Sequence, residues 1–204
     1  MVDSGADLIT LLDEVRAIAR SGLHYSDNPF ERARCERLLD LASAGYADVL
    51  AIEADEVRAR FVAETGYATA KVGADGAVFD ADGRVLLIRR ADDGLWGLVA
   101  GWVDPNEPPE ETIIREFAEE LGVEGRVERL VGTCYRPANA GFGPHSCVSL
   151  VYLCSIRSHE FRLQPHEVLE AAWLHIDMVT DWHLNHEQLA RLAHEGWLRY
   201  RAGL

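Results

Sequence analysis

The strongest constraint on this chain is the run Pro108 to Leu121, which has the composition of a helix and carries a cluster of carboxylates. Prolines stand at its start, glutamates fill its first turn and Gly122 follows its end, a common way of marking helix boundaries. Residues three and four apart share one face of a helix, so Glu116, Glu119 and Glu120 converge there. Crowded carboxylates repel one another, and a bound cation relieves that repulsion. The alternative is an acidic, solvated helix face, because glutamate is a good helix former.

The residues flanking the helix add a fixed spacing to this acidic cluster. Five residues separate Gly101 from Glu107, seven separate Glu107 from Arg115, and Val123 closes the segment. The whole stretch, hereafter the box (Gly101–Val123), resembles the signature of the Nudix family. That signature reads Gly, five residues, Glu, seven residues, Arg-Glu, an apolar residue, any residue, Glu-Glu, any residue, Gly, and an aliphatic residue. Every specified position is filled, and the resemblance implies an α+β fold, the Nudix α/β/α sandwich with a mixed sheet.

The same resemblance implies a metal-dependent hydrolase and gives each box residue a role. Hard carboxylate oxygens favour Mg²⁺ or Mn²⁺ over zinc. The implied metal ligands are Gly101, through its carbonyl, Glu116, Glu119 and Glu120. Arg115 matches the arginine that orients these glutamates, and with Glu119 and Glu120 it is a candidate catalytic residue. Glu107 matches the glutamate that fixes the loop to the helix, and Gly122 has a structural role.

The pattern of apolar residues changes near Gly66, from helical periodicity to short strand-like runs separated by turns. We therefore predict an N-terminal helical extension over residues 1–65 and a catalytic domain over residues 66–204. The strand-like runs of the second part are Lys71 to Phe79, Arg84 to Arg90, Trp96 to Gly101, Arg126 to Tyr135, Ser146 to Ile156 and Ala171 to Ile176. A helix from Asn185 to Tyr200 closes the chain.

The N-terminal extension is predicted to contain three helices. An apolar stripe from Leu8 to Ile18 indicates the first, which Ser21-Gly22 is expected to break. Asn28 before Pro29 is typical of a capped start for the second helix. Gly45 is expected to interrupt that helix, and the run from Tyr46 to Phe61 indicates a third.

A narrower resemblance concerns the extension and the approach to the box. One Nudix subgroup has an N-terminal helical extension, and its sequences resemble this chain in three segments: Ala17 to Ser26, Trp96 to Leu98 and Gly101 to Asp104. That subgroup acts on nucleoside diphosphates linked to another moiety, such as ADP-ribose or CDP-choline, and the extension contributes to a homodimer. One departure is Leu98-Val99-Ala100-Gly101, where the family often has Leu-Pro-Gly-Gly. Other Nudix activities, such as nucleoside triphosphate pyrophosphohydrolase, and a non-catalytic nucleotide sensor remain alternatives.

Residues outside the box are candidates for the proton transfer and for substrate contact. Glu167 and Glu170 precede the predicted strand Ala171 to Ile176, and in similar enzymes a glutamate near this place acts as general base or as an extra metal ligand, with Glu119 as a competing base. The candidate substrate contacts are Arg89, Arg90 and Arg136 for phosphate, and Trp102 and Phe142, with Trp96 and Tyr135, for stacking on a base. From these sets we single out Glu167 as catalytic and Arg89, Trp102, Arg136 and Phe142 as substrate-binding.

The overall charge limits the partners. The chain has 34 acidic and 20 basic residues, a formal charge of −14, which repels nucleic acid and anionic membrane surfaces. We expect a small-molecule nucleotide substrate and neither a nucleic-acid nor a membrane partner. The start of the chain has no signal-peptide pattern, and no run of 18 apolar residues occurs. With four cysteines and no CxxC pair, we expect a cytoplasmic protein with reduced thiols.

Overall fold

The computed structural model describes residues 4–64, 68–138 and 145–204, with side chains from residue 8 onward. The chain separates into two units. The helical unit comprises Met1–Lys71 and Arg136–Cys147, and the sheet unit comprises Val72–Tyr135 and Val148–Leu204. The predicted domain boundary between residues 65 and 66 lies outside the described residues and stays a prediction.

In the described part of the helical unit the helices are α1 (Ser4–Tyr25), α2 (Pro29–Leu50) and α3 (Ala54–Ala63). The predicted cap of α2 is confirmed, because Asn28 Oδ1 accepts the N–H groups of Phe30 and Glu31 at 2.9 and 3.4 Å. Tyr46, fully buried, packs edge-on against the Phe61 ring, with the ring centroids 5.1 Å apart. The helices thus bury their apolar faces on one another.

The predictions that Gly22 ends the first helix and that Gly45 interrupts the second are wrong. Both helices continue through these glycines. A β-carbon on Gly22 would lie 2.3 Å from Cys35 Sγ, and one on Gly45 would lie 2.7 Å from Leu12 Cδ1. The glycines therefore let α1 and α2 approach closely. This packing offsets the cost of about 1 kcal/mol that each glycine imposes on a helix.

The predicted third helix is also displaced. Tyr46 belongs to α2, and Ala51, in the left-handed conformation with φ 53°, ends that helix. A new helix starts only at Ala54, so the apolar run from Tyr46 to Phe61 spans a turn. Periodicity alone did not reveal this turn, because apolar residues continue on both sides of it.

The strands form two sheets. Their bounds are β1 (Lys71–Val78), β2 (Val85–Arg90), β3 (Trp96–Gly97), β4 (Val99–Trp102), β5 (Gly125–Arg136), β6 (Cys147–Ile156) and β7 (Val168–Leu174). A mixed four-stranded sheet has the order β4-β1-β6-β5, and a three-stranded sheet has the order β3-β2-β7. β4 runs antiparallel to β1, and β2 runs antiparallel to both β3 and β7. The predicted strand Ala171 to Ile176 starts earlier, at Val168, and Ile176 instead opens a short 3₁₀ helix.

Two helices cover the sheet unit on different cores. α4 (Pro109–Leu121) packs with Leu86 and Ile88 of β2, whereas α5 (His186–Arg201) packs with Val85 and Leu87 of the same strand. Successive residues of a strand point to opposite faces, so β2 lies between the two helices. This arrangement confirms the predicted α/β/α sandwich. No helix in the described ranges is both long enough and apolar enough to cross a membrane.

Candidate active site

α4 places its glutamates by burying its opposite face. Ile113, Phe117 and Leu121 follow at intervals of four residues and are buried in the core. A β-carbon on Gly76 of β1 would lie 2.6 Å from Ile113 Cγ1, so the helix packs directly on the strand backbone. Gly122 ends the helix in the left-handed conformation, φ 65°, as the sequence predicted. The position of α4 is therefore fixed at its end and along its length.

Arg115 and Glu107 connect the loop before α4 to the helix. Arg115 Nε and Nη2 donate to the two carboxylate oxygens of Glu107 at 3.0 and 3.1 Å. The Thr112 hydroxyl donates to the same carboxylate at 2.6 Å. The hydrogen bonds from Arg115 and then Thr112 lower the pKa of Glu107 to about 2. A planar guanidinium fixes such a carboxylate in both position and orientation.

The remaining nitrogen of Arg115 contacts the box glutamates. Its Nη1 donates to Glu116 Oε1 at 2.7 Å and to Glu119 Oε2 at 3.1 Å. These contacts raise the pKa of Arg115, with the bond to Glu107 as the largest cause. Glu119 has 53% of its side chain exposed and Glu116 has 11%. One arginine thus orients two glutamates that differ in their access to water.

Gly101 lies directly against the carboxylate of Glu116. A β-carbon at this position would be 1.9 Å from Glu116 Oε1 and 2.3 Å from its Cδ. No other residue type fits there unless the strand or the carboxylate moves. The requirement for glycine in the box therefore has a local steric cause: β4 and the Glu116 side chain share this space.

Glu120 is the most strongly perturbed carboxyl of the cluster. Only 4% of the residue is exposed, and its Oε2 atom is buried without a hydrogen-bond partner among the residues that the structure describes. Burial, and then the charge of Glu116, raise the pKa of Glu120 to about 9, although Arg90 opposes the shift. The pKa of Glu116 is raised as well, chiefly by burial. Without a cation, the buried part of the cluster favours protonated carboxyls.

A loop bonded to the end of α4 brings Glu167 toward this cluster. The Gln164 N–H donates to the Glu120 carbonyl at 3.0 Å, and the Ala91 N–H donates to the Glu167 carbonyl at 2.9 Å. The charge of Glu167 raises the pKa of both Glu116 and Glu120. Glu170 instead pairs with Arg89 across β7 and β2. The geometry thus favours Glu167 over Glu170 as a member of the site.

Two neighbouring arginines of β2 end on different faces. Arg90 follows Leu86 and Ile88 on the face toward α4, and its charge acts on Glu120. Asp92 holds it through bonds of 3.0 and 2.8 Å. Arg89 is exposed on the other face, where its Nε donates to the carbonyl of Gly94. The strand alternation was readable from the sequence, but which face meets α4 was not.

The other predicted substrate residues are Trp102, Arg136 and Phe142. Trp102 ends β4 with 44% exposed, and its carbonyl lies 3.5 Å from Arg115 Nη2, beside the box. Arg136 is buried and belongs to the helical unit. Phe142 lies in the range 139–144, outside the described residues. Their roles in substrate binding stay predictions.

The donor set suits a hard divalent cation. Glu116, Glu119 and Glu120 provide carboxylate oxygens, Gly101 lies against the Glu116 carboxylate, and the buried Oε2 of Glu120 accepts no hydrogen bond from the described residues. Over the described ranges, no three His, Cys, Asp or Glu side chains are already grouped as a finished metal site. Arg115 forms ion pairs with Glu116 and Glu119.

Two family models match the chain. One, described as the NUDIX domain, matches residues 69–193. The other, described as a UDP-X-like, N-terminal oligomerisation domain, matches residues 6–61. Together they cover most of the sheet unit and most of α1 to α3.

Individual relatives agree with these models. A protein of Bacillus subtilis (strain 168), provisionally named an ADP-ribose pyrophosphatase, is 33% identical over 117 residues, 57% of this chain and 56% of that protein. This chain therefore spans about half the length of that relative. An ADP-ribose pyrophosphatase of Methanocaldococcus jannaschii is 25% identical over 140 residues, 67% of this chain and 78% of that protein. A crystal structure of a UDP-X diphosphatase covers 97% of both chains with a TM-score of 0.58 and 22% identity, which supports the fold.

Proposed function

The chain belongs to the NUDIX family, and from that premise we propose that it hydrolyses the diphosphate bond of a nucleoside diphosphate linked to a second moiety. ADP-ribose and CDP-choline represent the substrate type, and a nucleoside monophosphate would be one product. ADP-ribose pyrophosphatases among the relatives support this class of substrate. We further propose a cytoplasmic enzyme that acts on small molecules, with neither a nucleic-acid nor a membrane partner.

The observation that carries the proposal is the state of Glu120. Its buried Oε2 has no hydrogen-bond partner in the described part of the chain, and burial together with Glu116 raises its pKa to about 9. An enzyme of this family has a use for such a group, since NUDIX hydrolases generally use divalent metal ions. Mg²⁺ or Mn²⁺, the hard cations that match this donor set, would neutralise phosphate charge and lower the pKa of a water molecule. The residues that would hold it are Gly101, Glu116, Glu119 and Glu120.

The chain's own residues then divide the work of positioning. Arg115 orients Glu116 and Glu119, and Glu107 keeps Arg115 in place through two hydrogen bonds. We assign Glu167 to accept the proton of the attacking water, because it is exposed on its loop and its charge reaches Glu120. Glu119 is the competing base, since it is the most exposed of the box glutamates.

The substrate contacts follow from the surroundings of the box. We propose that Trp102 stacks on the base and that Arg90 joins Arg89, Arg136 and Phe142 as a candidate for binding the substrate. Arg90 is favoured for phosphate because it carries a positive charge on the α4 face, next to Glu120. In a chain with a formal charge of −14, such local cations are what allow an anionic ligand to approach.

We also propose that the chain forms a homodimer through its helical unit. The match of residues 6–61 to an oligomerisation domain supports association. On α1, Leu8, Leu11 and Ile18 fall three and seven residues apart and are 44%, 56% and 56% exposed. They form an apolar stripe on one side of the helix, as an isologous contact between two copies would require.

Product analysis tests the proposed activity. The protein is incubated with Mg²⁺ or Mn²⁺ and ADP-ribose, CDP-choline, ADP-glucose or a nucleoside triphosphate. We expect metal-dependent release of a nucleoside monophosphate from a linked diphosphate, and at least a hundredfold slower release by Glu120→Gln. Glu124→Gln is the matched control, because Glu124 follows α4 closely but is exposed and paired with Arg157 on the surface. Ligand binding without any cleavage would contradict the proposal and indicate a sensor.

A further inference from the structure

The chain changes sheets immediately before the box. β3 pairs with β2 in the three-stranded sheet, and β4 pairs with β1 in the four-stranded sheet. Leu98 lies between them, fully buried and outside both strands. Its N–H is therefore a buried donor that the strand ladders do not satisfy. Such a group needs a partner from elsewhere in the fold.

His186, the first residue of α5, supplies that partner. Its Nδ1 accepts the Leu98 N–H at 3.1 Å, and the residue is only 1% exposed. Because Nδ1 accepts, the ring proton of the neutral imidazole lies on Nε2. Nε2 faces the buried carboxylate of Asp75 in β1, 4.0 Å from its Oδ1. The His186 ring thus binds Leu98, where the chain changes sheets, and faces β1, the strand that pairs with β4.

The ring has little freedom to move. A β-carbon on Gly97 would lie 3.0 Å from His186 Nδ1, so the backbone of β3 touches the imidazole. The segment leading into α5 is bonded to the same strand: the His183 N–H donates to the Trp96 carbonyl at 2.8 Å, and the Trp96 N–H donates to the Asp181 carbonyl at 2.8 Å. The imidazole is therefore held from both sides.

We propose that His186 is a positioning residue that fixes the register of β4 and, through it, the place of Gly101. Gly101 lies three residues after Leu98 and pairs with Ala74, next to Asp75. A shift of one residue would move the strand by about 3.3 Å. It would bring a residue with a side chain into the space that Glu116 Oε1 now occupies beside Gly101. The inference deepens the proposed function and rests on it, because it concerns the same cation site.

The test compares two substitutions of His186. In His186→Asn the side-chain oxygen stands near the position of Nδ1 and keeps an acceptor, whereas His186→Leu keeps bulk and removes the acceptor. His194→Leu is the control, because His194 lies on the same helix but stacks on Trp197 away from β4. The readouts are hydrogen exchange of the Leu98 amide, Mn²⁺ affinity measured on the metal alone, and kcat and KM.

We expect His186→Leu to lose protection of the Leu98 amide and to weaken Mn²⁺ binding about 10- to 100-fold, the usual range for residues that orient a ligand. The Asn variant should stay within about threefold of the unsubstituted protein, as should His194→Leu. Unchanged Mn²⁺ affinity in His186→Leu, or equal damage by Asn and Leu, would overturn the inference. If the unsubstituted protein itself bound no Mn²⁺, the proposed function would fail instead. Hydrogen exchange of the Leu98 amide would still test whether His186 holds the start of β4.

A measurement on the unsubstituted protein remains decisive should the Leu variant not fold. ¹⁵N NMR of the imidazole reports which ring nitrogen of His186 carries the proton. The expected result is protonated Nε2 and unprotonated Nδ1. A proton on Nδ1 would exclude the bond from Leu98 and refute the positioning role.

Discussion

Replacing Glu120 by glutamine should stabilise the metal-free protein at neutral pH while removing its response to metal. The pKa of Glu120 is raised to about 9 in the folded chain from an ordinary value of 4.5. A raised folded pKa stabilises the fold fully below pH 4.5, and this contribution is lost as the pH rises toward 9. In that window the free energy of unfolding of the metal-free protein falls by about 1.4 kcal/mol per pH unit from this group.

The magnitude follows from this slope. At pH 7.5 the group has lowered the stability of the metal-free protein by about 4 kcal/mol relative to pH 4.5. Glutamine carries no charge, but its buried amide leaves donors unsatisfied at a cost of about 1–3 kcal/mol. The net gain for Glu120→Gln is therefore about 1–3 kcal/mol at pH 7.5, which raises the melting temperature by roughly 2–12 °C for a chain of this size. At pH 5 the gain should be gone.

Urea unfolding between pH 5 and 8.5, once with EDTA for the metal-free protein and once without EDTA but with added Mn²⁺, measures both effects. Mn²⁺ at about 100 times its dissociation constant should add about 2.7 kcal/mol to the unsubstituted protein and almost nothing to Glu120→Gln. Glu124→Gln, on the exposed surface, should follow the unsubstituted protein at every pH. A stability difference that does not grow with pH, or a Glu120→Gln variant that still responds fully to Mn²⁺, would refute the reasoning.

Three further perturbations have defined outcomes. Gly101→Ala should cost about 1–3 kcal/mol of stability and at least tenfold in Mn²⁺ affinity, because its β-carbon would overlap Glu116; calorimetry showing normal affinity would contradict this. Arg115→Lys should lower Mn²⁺ affinity about 10- to 100-fold, since lysine lacks the fork that binds several carboxylates, and titration calorimetry checks it. Leu11→Glu combined with Ile18→Glu should halve the sedimenting mass while leaving the far-UV circular dichroism unchanged; a mass equal to that of the unsubstituted protein would argue against this interface.

The box could be predicted from sequence because its chemistry is local. Glu116, Glu119 and Glu120 share a face through the pitch of one helix, and the structure has that helix from Pro109 to Leu121. The bonds from Arg115 to Glu107 join residues eight apart, and the resemblance to the Nudix signature implied that Glu107 fixes the loop to the helix. Contacts within one helix and its adjoining loop can be predicted from a single sequence, because they do not depend on residues far away in the chain.

The failures arise where distant residues decide. Gly22 and Gly45 weaken a helix by local propensity, but Cys35 and Leu12 occupy the space that their missing side chains leave. Which of Arg89 and Arg90 lies on the side of α4 similarly depends on which face of β2 meets that helix. The sequence shows the alternation of residues along β2 and the positions of the two glycines. The residues that pack against them, which decide their effect, lie far away in the sequence.

The acidic character of the box and the stability of its surroundings are linked. Glu120 and Glu116 are held where burial raises their pKa values, so the metal-free site lowers stability at neutral pH. The surrounding contacts hold the glutamates in place, because Glu107 binds Arg115 and the apolar face of α4 is buried in the core. A site with this design gains most from a cation, because the same burial that disfavours bare carboxylates strengthens their attraction to a positive ion. The cation would also compensate the charge of the carboxylates that bind it, which lets an anionic substrate approach.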